Sequence, residues 1–148
     1  MLDLSAELAM LAGRFTRAVT HTATHEVPTA SLRLLSQVDE LGSVPIGTLA
    51  AADRCSQPTM SSAVQSLCRR GWARKTPNPD DARSTLVSLT EAGRTVLADA
   101  RRQRASVVAD LFEADPRHDR QDLATAVAVL RGLLAARSPH RTVTEGAA

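Results

Sequence analysis

The sequence predicts a mainly α-helical protein that carries one small β-hairpin, and three observations predict it. Apolar residues recur at intervals of three or four over most of the chain, the spacing of one helix face. The apolar share is 43% while aromatics are only 2%, and it consists chiefly of Ala, Leu and Val, which suits helices packed through small side chains. Between Trp72 and Thr90 the helical period gives way to two short extended runs around a Pro- and Asp-rich turn.

From Asp3 to about Thr24, Leu4, Leu8, Leu11, Phe15 and Val19 form one face of a long first helix. Val27-Pro28 breaks it, because the residue before a proline disfavours helical geometry, and Pro28 or Thr29 starts a second helix through Leu32, Leu35 and Val38 to Leu41. Gly42 ends that helix. Pro45 suits entry to a short third helix from Ile46 to about Asp53, with Ile46, Leu49 and Ala50 inward.

Ser56 offers its hydroxyl to the free amides of a fourth helix, and Pro58 sits in the first turn, where a missing N–H costs nothing. Met60, Ala63, Val64 and Leu67 make the expected buried stripe, and Gly71 closes the helix. Strands follow at Ala73 to Thr76 and Thr85 to Leu89, separated by residues 77–83. Thr90 caps a fifth helix, with Glu91 in its first turn, which runs through Val96, Leu97, Val107, Val108, Leu111 and Phe112 to about Glu113. After Asp115-Pro116 a last helix from about Asp119 carries Leu123, Val127, Leu130, Leu133 and Leu134. Residues 138–148 read as a disordered tail.

A chain of 148 residues can bury a core without metal or disulfide staples. The formal net charge is only +2, yet from Arg54 to Arg104 ten Lys or Arg face four Asp or Glu, so the positive charge gathers mid-chain. No run approaches the roughly 18–20 apolar residues of a membrane span, and Asp3 and Glu7 do not fit a signal peptide, so a cytoplasmic protein without membrane contact is expected. Cys55 and Cys68 lack the repeated pairing of a zinc site or a disulfide framework and read as reduced thiols. His21 and His25 stand four apart on the first helix, which can place two imidazoles on one metal. With no third ligand in sight the plainer reading is a solvated or interfacial pair, and no cofactor is expected. An enzyme would need a nucleophile with its base, a phosphate-cradling glycine loop or clustered carboxylates, and none is visible.

Two short helices joined by a tight turn, followed at once by a hairpin, describe a winged helix-turn-helix. A helix lying in a DNA major groove needs small or amide-bearing side chains on its exposed N-terminal part, so that the backbone can approach and donors and acceptors can reach base edges. Gln57, Thr59, Ser61, Ser62 and Gln65 meet that description. A wing beside phosphates needs cations, and Arg74, Lys75 and Arg83 supply them. Any one such polar stripe is also what an ordinary solvated helix shows; the ordered conjunction of short helix, capped helix and basic hairpin favours the DNA reading. A winged helix that binds protein instead would show an apolar or acidic face, and this one is polar and basic.

From Ile46 to Gly93 the sequence resembles the multiple-antibiotic-resistance regulator (MarR) family. The resemblance rests on Leu49-Ala50, Cys55 to Ser61, Leu67 to Trp72, Asn78 to Arg83 and Leu86 to Gly93. It implies a homodimeric transcriptional regulator, in most cases a repressor, that binds double-stranded DNA. Residues 29–97 would form the DNA-binding lobe, and residues 1–28 and 98–137 the helical dimerisation region. The implied recognition helix runs from Ser56 to Arg70, with Ser56, Pro58 and Arg69 joining the DNA-facing residues above, and Arg83 enters the minor groove. Asp81 matches the family's Asp-x-Arg signature and would orient the wing by pairing with a neighbouring arginine, or simply cap its turn. Leu4, Leu8, Leu11, Phe15, Leu123, Val127, Leu130 and Leu134 would lie in the dimer interface. The family commonly senses small amphipathic or aromatic effectors, or oxidants through cysteine. Cys55 and Cys68 are read as packing thiols with a redox role as the alternative. One departure concerns Ser62, where many members carry an arginine, so base readout here is expected to depend more on Gln57, Gln65 and DNA shape.

Overall fold

The computed structural model describes residues 1–23 and 26–137. Thr24, the expected end of the first helix, lies outside them, as do His25, His140 and the expected tail 138–148. The chain divides into two compact units, one up to Val108 and one from Ala109 onward. The first unit contains α1 (Leu2–Thr22), α2 (Thr29–Leu41), β1 (Val44–Pro45), α3 (Ile46–Ala52), α4 (Gln57–Arg69), β2 (Ala73–Pro77), β3 (Thr85–Leu89) and most of α5 (Glu91–Glu113). The second holds the end of α5 and α6 (Arg120–Arg137). Among the described residues no helix is long and apolar enough to cross a membrane.

The order of elements follows the sequence reading, with one addition. The hairpin β2–β3 is part of a three-stranded antiparallel sheet of order β1-β3-β2, in which Val44 pairs with Val87 and Pro45 with Leu86. Two residues of strand leave no period to detect, and Pro45 was expected only as a helix entry. It serves both ends, since proline is tolerated on an edge strand and also occupies the N-cap position of α3.

Leu32, Leu35 and Val38 of α2, Leu49 of α3, Met60, Val64 and Leu67 of α4, Val87 and Leu89 of β3, and Leu97 of α5 pack into one core. Two expectations about it need correction. Ala63 is exposed rather than buried, and Leu34 joins the core although it falls outside the expected stripe of α2. Both corrections have one cause: α4 presents a narrower face inward than its periodicity allows, while α2 is covered over a wider arc. Ile46 is only half-buried.

The end of α4, the start of β2 and the start of α5 share a single joint. Gly71 adopts φ +73°, and the N–H groups of Gly71 and Trp72 return to the carbonyls of Cys68 at 2.9 Å and Leu67 at 3.0 Å, which terminates α4. Thr90 then binds this turn twice. Its backbone N–H donates to the Trp72 carbonyl at 3.1 Å and its hydroxyl to the Gly71 carbonyl at 2.6 Å. The same Oγ1 accepts the Gly93 N–H at 3.1 Å, so Thr90 is the cap of α5, as its sequence position predicts. Gly93 is needed for close approach, because a Cβ there would stand 2.0 Å from the Trp72 carbonyl oxygen. The Arg70 guanidinium lies 5.0 Å from the Trp72 ring centroid and covers the joint from outside.

In the second unit, Asp119 caps α6 by accepting the N–H groups of Gln121 at 2.7 Å and Asp122 at 3.1 Å. Just before it, Asp115 accepts from the Arg117 side chain at 2.8 Å and from its backbone N–H at 3.1 Å, which holds the Asp115 carboxyl below the ordinary carboxylate range.

Gly93→Ala forces backbone away from backbone at the joint, and we expect it to lower unfolding free energy by about 1–3 kcal/mol, the usual cost of overpacking. Urea denaturation of the two proteins measures this directly; equal midpoints would mean that the joint yields freely.

Candidate nucleic-acid interface

The surface is built on α4. The Ser56 hydroxyl accepts the Thr59 N–H at 3.3 Å and lies 2.8 Å from the Thr59 hydroxyl, so the first turn is capped from the side that the preceding residues leave open. With Met60, Val64 and Leu67 turned into the core, Gln57, Pro58, Thr59, Ser62, Gln65 and Arg69 are exposed and Ser61 is half-buried. The exposed face carries amides and hydroxyls with a single cation, Arg69, at its far end.

The turn that sets α4 against α3 has a lock the sequence reading missed. Arg54 adopts φ +53°, a left-handed conformation unusual for a residue with a side chain. On one side of it the Cys55 N–H reaches back to the Ala50 carbonyl at 3.0 Å. On the other, Asp53 accepts from Arg33 at 2.7 Å and from Gln37 at 3.2 Å, both on α2. These partners lie 20 and 16 residues away along the chain, beyond the reach of any local pattern.

The loop between β2 and β3 holds itself in shape. The Asn78 side chain accepts the Asp80 N–H at 3.1 Å and donates to the Ser84 hydroxyl at 2.7 Å, while the Asp81 carboxylate accepts the Arg83 N–H at 3.0 Å. Of the two roles foreseen for Asp81, the turn cap is the one present; no arginine side chain among the described residues pairs with it. The Arg83 side chain stands exposed, with no hydrogen bond or ion pair to the described residues. Arg74 is partly committed, its Nε donating to Ser88 Oγ at 3.1 Å across the strand pair. Arg74 and Lys75 are both exposed, but as neighbours on a strand they leave opposite faces of the sheet. They cannot serve one flat surface equally.

A cleft of about 370 Å³ joins these parts, with Gly47 at the start of α3, Gln57 and Ser61 on α4, and Arg83 and Thr85 at the end of the loop on its walls. A second cavity of about 320 Å³ lies between α2 and α4, lined by Leu34, Cys55, Met60 and Ala63. Cys55 and Cys68 are free and half-buried. Among the described residues no group of three or more His, Cys, Asp or Glu side chains is arranged to hold a metal.

Residues 28–85 match the model of the MarR family, a span that takes in α2, the helix-turn-helix and most of the wing. The chain is 28% identical over 139 residues to an uncharacterized HTH-type transcriptional regulator of Mycobacterium bovis, covering 90% of this chain and 97% of the relative. Residues 28–85 are thus similar to the MarR family. A second relative, an uncharacterized HTH-type transcriptional regulator of Mycobacterium leprae, is 29% identical over 109 residues, which is 70% of this chain and 76% of the relative. A solved structure from Pseudomonas aeruginosa superimposes with TM-score 0.73 at 26% identity over 94% of this chain and 96% of the other. A mutant of MarR from E. coli, solved with operator DNA, superimposes with TM-score 0.61 at 18% identity, covering 89% and 94% of the two chains. The fold is therefore the family's winged helix-turn-helix.

Ser56→Ala removes the cap of α4, and a loss of about 1 kcal/mol in unfolding free energy is expected. Chemical denaturation followed by circular dichroism checks it, and an unchanged midpoint would show the cap to be idle.

Proposed function

We propose that this protein is a MarR-type, sequence-specific, DNA-binding transcriptional regulator that acts as a homodimeric repressor. The observation that carries the reading is the convergence of the α4 N-terminal face and Arg83 on one cleft, with the Arg83 guanidinium free of protein partners. Phosphates position such a protein and base edges specify its site. Here Gln57, Thr59, Ser61, Ser62 and Gln65 supply the base-reading groups, Ser56 and Pro58 shape the helix entry, and the phosphate backbone is contacted by Arg69 and by the wing strand, through Arg74 on one face or Lys75 on the other. Arg83 reaches the minor groove, where narrow A·T-rich segments attract a guanidinium. The names of the mycobacterial relatives and the operator complex of E. coli MarR support this assignment.

The dimerisation region comprises residues 1–28 and 98–137. Leu4, Leu8, Leu11 and Phe15 of α1 are exposed, and so, in the other unit, are Val127, Leu130 and Leu134 of α6, apolar side chains that a second copy would cover; Leu123 is already half-buried. The protein works in the cytoplasm, its role is regulatory rather than catalytic, and a small amphipathic or aromatic effector releases it from DNA.

Affinity for the DNA upstream of its own gene should fall steeply with salt, by a factor on the order of 10³ between 50 and 200 mM, as expected when a dimer displaces several counterions. Gel-shift titration measures this, and an absence of salt-sensitive binding to any genomic fragment would end the reading. In the same assay Arg83→Ala should cost about 1–3 kcal/mol of affinity without lowering the melting temperature. For the dimer, deletion of residues 1–22 should leave monomers or aggregates in sedimentation velocity; a stable dimer that still binds DNA would contradict the role given to α1.

A further inference from the structure

We propose that Gly47, on α3, is a positioning residue for base selection because it sets where the Gln57 amide is presented. The inference rests on the reading of this face as a DNA-binding surface and adds a determinant on the neighbouring helix. A Cβ at position 47 would lie 2.8 Å from Gln57 Nε2, nearer than carbon and nitrogen atoms approach without one of them moving. The amide therefore lies back over the bare first turn of α3, at the wall of the cleft it shares with Ser61 and Arg83. No hydrogen bond to the described residues commits its N–H groups or its carbonyl oxygen. The absence of a side chain at position 47 leaves the amide room to lie there, and its full hydrogen-bonding capacity remains for a base edge, where a glutamine can address adenine with donor and acceptor together.

The backbone under Gln57 has little freedom of its own, since Ser56 caps the turn and Pro58 stiffens it. The side chain is the part that can yield. A methyl group at position 47 would displace the amide without disturbing the core, and alanine is favoured over glycine inside a helix. Specificity and stability should therefore move in opposite directions.

The test compares the wild-type protein, Gly47→Ala, Gln57→Ala and the double variant by selection from randomised DNA duplexes, titration of the selected and of unrelated duplexes, and thermal melting. Gly47→Ala is expected to lose preference, about 5-fold or more, at the same base pair that Gln57→Ala affects. Its affinity for unrelated duplexes should be unchanged and its melting temperature equal or higher, and the double variant should behave as Gln57→Ala alone. A loss spread over all sequences, a loss that adds to that of Gln57→Ala, a lowered melting temperature or unaltered selection would each overturn the role of Gly47 while leaving DNA binding intact. A wild-type protein that selects no sequence would instead remove the DNA-binding reading itself, and this inference with it.

Discussion

Thr90 is the point on which the lobe depends. One residue ends the sheet, caps α5 and binds the two carbonyls at which α4 has just stopped. The missing side chain of Gly93 lets α5 begin against the Trp72 backbone. The proposed recognition helix, the wing and α5, the longest helix among the described residues, thus meet over a few residues of shared backbone. Backbone hydrogen bonds at such a junction leave little room for independent tilting, so the direction in which α5 departs is set by where α4 ends. Loosening Thr90 would cost a cap and two orphaned carbonyls together.

The proposed interface divides its chemistry between two elements. The α4 face is nearly uncharged and offers amides and hydroxyls, which discriminate bases but contribute little long-range attraction. The wing offers cations, which attract any phosphate backbone, and Arg83 in a minor groove would add only a preference for narrow A·T-rich segments. Arg83 can serve there because the loop satisfies itself: Asn78, Asp81 and Ser84 exchange hydrogen bonds locally and leave the guanidinium uncommitted. Had Asp81 paired with an arginine side chain, part of that positive potential would have been neutralised within the loop. The lock at Asp53 does corresponding work for the helix, since it ties the turn before α4 to α2 through Arg33 and Gln37.

What could be read from the sequence was whatever the chain writes locally. Ser56, Thr90 and Gly71 act within a few residues of their own positions, so their capping roles followed from residue type and spacing. The wing strands were legible because five residues each suffice to show an extended pattern, whereas β1, with two, shows none. The exposure of Ala63 and the burial of Leu34 were not legible, since helical period says which residues share a face but not how much of that face its neighbours cover. Asp53 looked like an ordinary helix end because its partners come from another helix.

By itself, then, the sequence determined the order of helices and strands, their caps, the uncharged recognition face and the basic hairpin, all of which follow from short-range periodicity, hydrogen-bonding capacity and charge. Only the tertiary structure decided that Gly47 lies under Gln57, that Arg74 and Lys75 leave opposite faces, that Asp81 serves the backbone and not an arginine side chain, and that Thr90 binds the end of α4. Each of these depends on side chains and backbone meeting across a turn or between elements, and such distances are set by packing, which no local pattern encodes.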